Sequence, residues 1–290
     1  MYGLGRMIGR FGIAVAAVVL TQAAGADPAE RDEASDAKVL LATTTSVRDS
    51  GLLDTLVPVF EERTGIAVQV VAVGTGAALR MGAEGNADVL LTHAPEAEQE
   101  IVATGALVDR RPFMENYFVI AGPAADPAQV ASAGSPEDAL RGIAGSGAPF
   151  VSRADDSGTH KREVALFESA GLDPAETWEG FTRTGTGMGL TLQVAGERRA
   201  YVLSDLGTFL AFQARTGLVA LSTPAPSLRN VYSVLRVDPE RFAGRVHGAQ
   251  AQRFADFLLE AETQRVIGEF GRERFGRPLF TPLSVASPAP

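Results

Sequence analysis

The 290-residue sequence contains no cysteine. That absence removes disulfides, thiolate metal sites, cysteine nucleophiles and a lipidated N-terminal cysteine together. Histidine is nearly as scarce: His93, His160 and His247 stand far apart, with no metal-ligand spacing. Positive charge is also in short supply, with 26 Lys and Arg against 35 Asp and Glu and a net charge of −9. No segment gathers these cations into a run, which argues against nucleic acid and anionic lipid as partners, since both need a basic footprint. Glycine and proline, 31 and 16 residues, are too few for a collagenous or disordered chain. What is present, 46% hydrophobic and 21% charged residues, is the balance of a soluble globular protein of about two domains.

Long apolar runs are missing too. The run Phe11–Leu20 (FGIAVAAVVL) is about half the length of a membrane-spanning helix. Arg6 and Arg10 precede it, and Ala24-Gly25-Ala26 offers a small-x-small cleavage site. This combination predicts a secretory signal peptide over residues 1–26. Cleavage removes 26 of the 290 residues, leaves 264, and moves the charge from −9 to −11 as the two arginines leave. Residues 27–37 (DPAERDEASDA) read as a polar lead-in. The expected product is exported and free in the periplasm.

Beyond that point, short β-rich runs alternate with helical spacing. Val39–Ala42 predicts a strand, and Leu52, Leu53, Leu56, Val57 and Phe60 then recur on a helical face, with Pro58 as a kink. Ile66–Val73 and Ala87–Leu91 read as strands, 77–83 and 95–104 as helices, and Tyr117–Ala121 as a further strand. A second series has strands at Pro149–Ser152 and Ala200–Leu203, with helices at 158–170, 188–196 and 205–214. Strand Val231–Val237, helices near 246–260 and 262–270, and a Pro-rich tail from Arg277 complete the chain. This rhythm implies an α/β fold with parallel-rich sheets covered by helices on both faces. Asn116–Ile120 and Asn230–Leu235 resemble one another. They are predicted to be the outgoing and returning crossovers between lobe 1 (38–121 plus 235–285) and lobe 2 (122–234). The competing reading is two unrelated strands in one large sheet. A two-lobed exported α/β protein suggests ligand capture in a cleft by hinge closure.

Three turns rich in hydroxyls or glycine each follow a strand and precede a helix: Thr43-Thr44-Thr45-Ser46, Gly74-Thr75-Gly76, and Ser152–His160 (SRADDSGTH). Helix N-termini offer unpaired N–H groups, hydroxyls add donors, and glycine lets backbone approach closely. Turns at the carboxyl ends of parallel strands converge where open α/β sheets bind ligands. The ligand so described is an anion rich in acceptor oxygens. Each turn also has a plain reading, with Ser46, Thr75 and Ser157 as helix caps. Arg153 is the one cation in the three turns, suited to an oxyanion or else to a surface ion pair with Asp155 or Asp156. Other motifs fail. Gly185–Leu190 and Gly74–Leu79 both have Leu where GxGxxG needs glycine, and no P-loop occurs. A hydrolase using Ser157, His160 and Asp155 lacks GxSxG and places Ser and His on one helical turn.

These segments resemble the tungstate-binding proteins of ABC transporters. The resemblance is carried by TTTS at 43–46, GTG at 74–76, ADVLLTHAPEAE at 87–98, ENYFVIAGP at 115–123, SRADDSGTHKRE at 152–163, TGTGMGLTL at 184–192 and YVLSDLGTFLAF at 201–212. It implies a type II periplasmic binding-protein fold with no covalent chemistry and no cofactor, handing a tetrahedral oxyanion to an inner-membrane permease, and a monomer is expected. The oxyanion contacts it implies are Thr44, Thr45, Ser46, Thr75, Arg153, Ser157 and Thr159, with backbone N–H near Gly187. The family often has glycine where this chain has Ala154. Phosphate binders of the same fold carry a similar third turn but Ser-Asp-Ala-Pro where this chain has Thr92-His93-Ala94-Pro95. Their Asp accepts the proton of phosphate; tungstate, molybdate and sulfate carry none and need donors only. Asp155 or Asp156 remains an alternative acceptor, which keeps phosphate open.

Overall fold

The computed structural model describes residues 38–175 and 178–283. The expected signal peptide and polar lead-in lie outside the described residues. The chain opens with β1 (Lys38–Thr44), α1 (Thr45–Ser50), α2 (Leu52–Thr64), β2 (Ala67–Val73), α3 (Thr75–Ala83), β3 (Val89–Thr92), α4 (Pro95–Ala103) and the long β4 (Leu107–Gly122). It continues with α5 (Pro136–Gly145), β5 (Phe150–Ser152), α6 (Gly158–Ser169), β6 (Phe181–Arg183), α7 (Met188–Arg198), β7 (Val202–Asp205), α8 (Leu206–Thr216) and β8 (Val219–Ala220). Then β9 (Arg229–Val237) returns, followed by α9 (Gly248–Leu259), α10 (Ala261–Glu269), α11 (Arg272–Phe275) and β10 (Thr281–Pro282).

One sheet has the order β10-β4-β9-β3-β1-β2. Within it β1 runs parallel to β2 and β3, whereas β9 is antiparallel to β3 and to the first part of β4. From Phe118 onward β4 changes partners and pairs antiparallel with β7 and β8. Nearby, β5 pairs parallel with β6 and bridges Tyr201 in parallel. The α/β class holds, but the sheets are mixed rather than parallel-rich. The reason is topological: β4 runs out and β9 runs back beside it, so each meets neighbours of opposite direction. β4 is also far longer than the expected Tyr117–Ala121. Its first half, with register shifts flanking Pro112, is too charged to be read from apolar alternation. Pro58 sits inside α2, which continues through it to Thr64.

Strand alternation distributes side chains between cores on opposite faces of each sheet. Phe118 and Ile120 enter a core built with α5 and α6, while Val119 and Ala121 enter another built with α7 and α8. In the first sheet Val89, Leu91 and Val234 face α2 and α9, while Leu90 and Leu235 face α3. This packing holds the carboxyl ends of β1, β2, β3 and β5 firmly, and the hydroxyl-rich turns grow from those ends.

Candidate functional site

The first turn is divided between two elements. Thr43 and Thr44 finish β1, and Thr43 is occupied within the sheet, donating to Leu91 O at 3.0 Å. Thr44 is the N-cap of α1, accepting Val47 N–H at 3.4 Å, and its hydroxyl meets Ser46 Oγ at 3.0 Å. Ser46 Oγ in turn lies 3.1 Å from His93 Nε2, at the end of β3. In the second turn Thr75 is the first residue of α3, and its Oγ1 accepts the Gly158 N–H at 3.0 Å. That bond ties the start of α3 to the start of α6.

The third turn crosses strained backbone. Ala154 and Asp156 take φ of 48° and 58°, in the left-handed region where a side chain costs about 1 kcal/mol. A glycine in place of Ala154 would adopt this conformation freely. Ser157 then caps α6, accepting His160 N–H at 3.2 Å. Arg153, only 3% exposed, reaches across: its Nε meets Asp155 Oδ2 at 2.9 Å and Thr186 O at 3.3 Å, and its Nη2 approaches Thr45 Oγ1 at 3.5 Å. The ion pair with Asp155 therefore exists, but it is buried rather than on the surface. Gly187, at the exposed N-cap of α7, follows the Thr186 carbonyl that Arg153 engages.

Residues from three turns thus meet through Arg153 and the Thr75–Gly158 bond. The hydroxyls of Thr45, Thr75 and Ser157 each accept a bond and keep a proton to donate. Thr159 is the sharpest case. It is 0% exposed, and its Oγ1 has no partner. An unpaired buried hydroxyl costs about 1–3 kcal/mol, and a bound acceptor would remove that cost. Thr44 and Ser46 differ, because each already lies within hydrogen-bond distance of a protein partner, Thr44 Oγ1 of Ser46 Oγ and Ser46 Oγ of His93 Nε2.

Behind the turns lies a buried network around His93. His93 Nδ1 lies 2.9 Å from Asn230 Oδ1, and Asn230 Nδ2 donates to Asn116 Oδ1 at 2.8 Å and to the Tyr232 hydroxyl at 2.9 Å. The imidazole stacks on Tyr232 with 4.9 Å between centroids. Burial lowers the His93 pKa to about 4, helped by the positive charges of Arg153 and Arg162 and opposed by the bond to Asn230. Beneath Arg153, burial raises Glu163 to about 7, against the Ser152 hydroxyl and Arg153 N–H that donate to it. Asp205, also buried, caps α8 by accepting Thr208 N–H at 2.9 Å, and desolvation raises its pKa. His93 was marked in advance by its place in Thr92-His93-Ala94-Pro95 and the Asn116 and Asn230 segments by their likeness, but the contacts among them, and the burial of Glu163 and Asp205, were not.

Gly158 shows how tightly the two sides meet. A Cβ there would stand 2.7 Å from His93 Cε1, against a ring already held by stacking and hydrogen bonds. Gly158→Ala is expected to destabilise the protein by about 1–3 kcal/mol, the range for overpacking a rigid site. Urea unfolding of the two proteins measures it, and equal midpoints would show that the ring yields.

Chemically, the arrangement presents one guanidinium and several hydroxyl donors from strand-end turns. The Ser157–His160 pairing that a hydrolase would need is not formed: Ser157 Oγ receives the backbone N–H of His160, and the His160 ring accepts Asp156 N–H at 3.1 Å. Among the described residues no three His, Asp or Glu gather to hold a metal ion, and no helix is long and apolar enough to cross a membrane.

Known proteins share this architecture. A PBP superfamily domain profile matches residues 29–262. The tungstate-binding protein TupA of Peptoclostridium acidaminophilum is 43% identical over 265 residues, covering 90% of this chain and 91% of that protein. The crystal structure of the tungstate ABC transporter from Geobacter sulfurreducens aligns with TM-score 0.73 and 42% identity, over 80% of this chain and 98% of that one. TupA from Desulfovibrio alaskensis aligns with TM-score 0.75 and 40% identity, over 85% and 98%.

Proposed function

We propose a function from one premise: this chain belongs to the PBP superfamily and, within it, to the family of tungstate-binding proteins of ABC transporters. It is an oxyanion-binding protein that captures tungstate for an ABC importer. The observation that carries this reading is the buried Arg153 set among hydroxyls with protons to give, with Thr159 lacking any partner. The oxyanion donors are Thr45, Thr75, Arg153, Ser157 and Thr159, with backbone near Gly187, and with Thr44 and Ser46 behind them. Capture is by closure of lobe 1 (38–121 plus 235–285) on lobe 2 (122–234) about β4 and β9. The closed surface is what the permease recognises, and no bond is made or broken. A signal peptide over residues 1–26 delivers the protein to the periplasm as a monomer.

The carboxylates of the third turn favour an ion without a proton. Asp155 is spent on both oxygens, one on Arg153 at 2.9 Å and the other on Ser157 N–H at 3.2 Å. Asp156 turns outward to Lys161. Protonated phosphate needs an acceptor, and in this turn both Asp155 oxygens are already engaged and Asp156 is turned away, whereas tungstate, molybdate and sulfate need donors alone.

Tungstate is therefore expected to raise the melting temperature by mass action with the folded state, and phosphate at equal concentration to leave it unmoved. A larger shift with phosphate would overturn the assignment. Thr159→Val sharpens the test. It removes a hydroxyl that has no protein partner, so ligand-free stability should hold or rise slightly. Tungstate affinity should fall by about 1–2 kcal/mol, roughly tenfold, for one lost neutral donor. Unchanged affinity would place the ion elsewhere.

A further inference from the structure

The hydrogen bonds behind the first turn have a direction. Val47 N–H donates to Thr44 Oγ1, and Thr44 and Ser46 share one hydrogen bond, in which Thr44 is the donor whenever the Ser46 proton is used on its other side. Ser46 then has one proton, and its neighbour on the other side is His93 Nε2. At the far edge of the ring, Asn230 spends its amide N–H groups on Asn116 and Tyr232 and presents its oxygen to His93. His93 Nδ1 must therefore carry the ring's proton, and Nε2 of the neutral ring is an acceptor. It takes the Ser46 proton. With neutral His93, Ser46 turns a lone pair rather than a proton toward the anion site, a repulsive contact for an oxyanion.

We propose that His93 takes up one proton from solvent when the oxyanion binds, and that this reverses the Ser46–His93 hydrogen bond and frees the Ser46 hydroxyl to donate to the anion. The inference rests on the oxyanion reading above and adds a positioning residue to it. His93 does not touch the ion; it sets which way Ser46 points. The step balances simply: one solvent proton joins Nε2, Nε2–H then donates to Ser46 Oγ, and the Ser46 proton rotates to an anion oxygen. The groups around the ring explain why the proton is absent beforehand and held afterwards. Arg153 from the third turn and Arg162 on α6 oppose a charged ring, and burial does so more strongly, placing the free pKa near 4. Glu96 and Glu100 on α4 and Lys161 and Arg162 on α6 line the adjoining groove, two charges of each sign. Tyr232, stacked on the ring, is held well above its usual pKa by burial and stays neutral. A dianion beside Arg153 cancels that repulsion and favours imidazolium. By linkage, protonation must then tighten binding.

The test is calorimetric titration of the ligand-free protein with sodium tungstate at pH 6.5 to 8.5, in buffers of different ionisation heat, which counts the protons exchanged. The expected result is net proton uptake on binding, at most one per ion and largest at the lowest pH, with an affinity that rises as pH falls, by at most about tenfold per unit. His93→Gln, whose amide donates to Ser46 without titrating, should bind with no uptake and with pH-independent affinity. Ser46→Ala should lose more affinity at pH 6.5 than at pH 8.5. Wild-type binding without uptake would overturn the proposal; both amides turning over, so that neutral His93 donates from Nε2, would give that result. Uptake that persists in His93→Gln would also overturn it, and its loss in Glu163→Gln would assign the proton to Glu163. If no tetrahedral oxyanion binds at any pH, the oxyanion reading fails and this inference with it; binding without uptake defeats this inference alone.

Discussion

Arg153→Ala is expected to weaken tungstate binding by about 3 kcal/mol or more, at least roughly a hundredfold, because the bound dianion loses its one directly opposed positive charge. The structure adds a cost that the sequence did not disclose. Arg153 is buried and paired with Asp155, whose side chain is 18% exposed. Truncation leaves that carboxylate facing the site unpaired, repelling the ion as well as destabilising the ligand-free turn. Two effects would then be confounded in a melting temperature, so affinity is the quantity to read. The double variant Arg153→Ala with Asp155→Asn separates them. It removes the stranded charge, so it should regain part of the loss while staying well below wild type. Arg153→Lys retains the charge but lacks the fork that lets Nε serve Asp155 and Thr186 while Nη2 reaches Thr45. Its affinity should fall between the other two. Calorimetry decides the matter, and an Arg153→Ala protein that binds tungstate like wild type would reduce Arg153 to a structural strut.

What could be read from the sequence, and what could not, divides along physical lines. The three turns were legible because hydroxyls and glycine between a strand and a helix have few local conformations open to them. Their positions hold to within a residue or two, with Thr43 and Thr44 belonging to β1 and Thr45 opening α1. Strand direction was not legible along most of the chain, since a period of two is the same in parallel and antiparallel pairs; an outgoing and a returning strand implied opposite directions for β4 and β9, but nothing indicated that β9 would run antiparallel to β3 or β4 to β7 and β8. Helix α5 was missed because PEDALRGIAG begins with proline and ends among glycines. Its start is nonetheless well marked in space, by Ser135 accepting Asp138 N–H with Pro136 at the first position. The network behind Ser46 depends on contacts between residues far apart in the chain, such as Asn116 facing Asn230 across β4 and β9. No local pattern encodes such a pair. Glu163 was hidden in the opposite way. In KREVALFES it reads as one more solvated helix charge, and only the packing of α6 buries it.

That buried Glu163 gives the second large effect, one on stability. Its pKa is raised by burial to about 7 in the folded protein, against 4.5 for the free group. Between those values the folded state holds a proton that the unfolded chain has released. The stability this group contributes is therefore complete below about pH 4.5 and is lost as pH rises through 7. By pH 8 the folded protein must either bury a charge or keep a proton against the solvent, a cost of roughly 2–3 kcal/mol. Glu163→Gln removes the titration with little change in shape. The amide oxygen can still accept from Ser152 and the Arg153 N–H, and the NH2 falls where Oε2 has no partner in any case. The variant should match wild type near pH 5 and exceed it at pH 8 by roughly 5–10 °C in melting temperature, at about 2–4 °C per kcal/mol for a chain of this size. The pH dependence matters more than the absolute gain. His93, lowered to about 4, acts in the opposite sense and makes folded wild type gain stability from about pH 4 to 6.5, so only the difference between the two proteins isolates Glu163. A Glu163→Gln protein shifted equally at pH 5 and pH 8 would mean that Glu163 is ionised throughout. In that case a negative charge would lie behind Arg153 and weaken its pull on the anion. A neutral Glu163 adds no second negative charge to that of Asp155, which Arg153 already engages, and so leaves the site more attractive to a dianion.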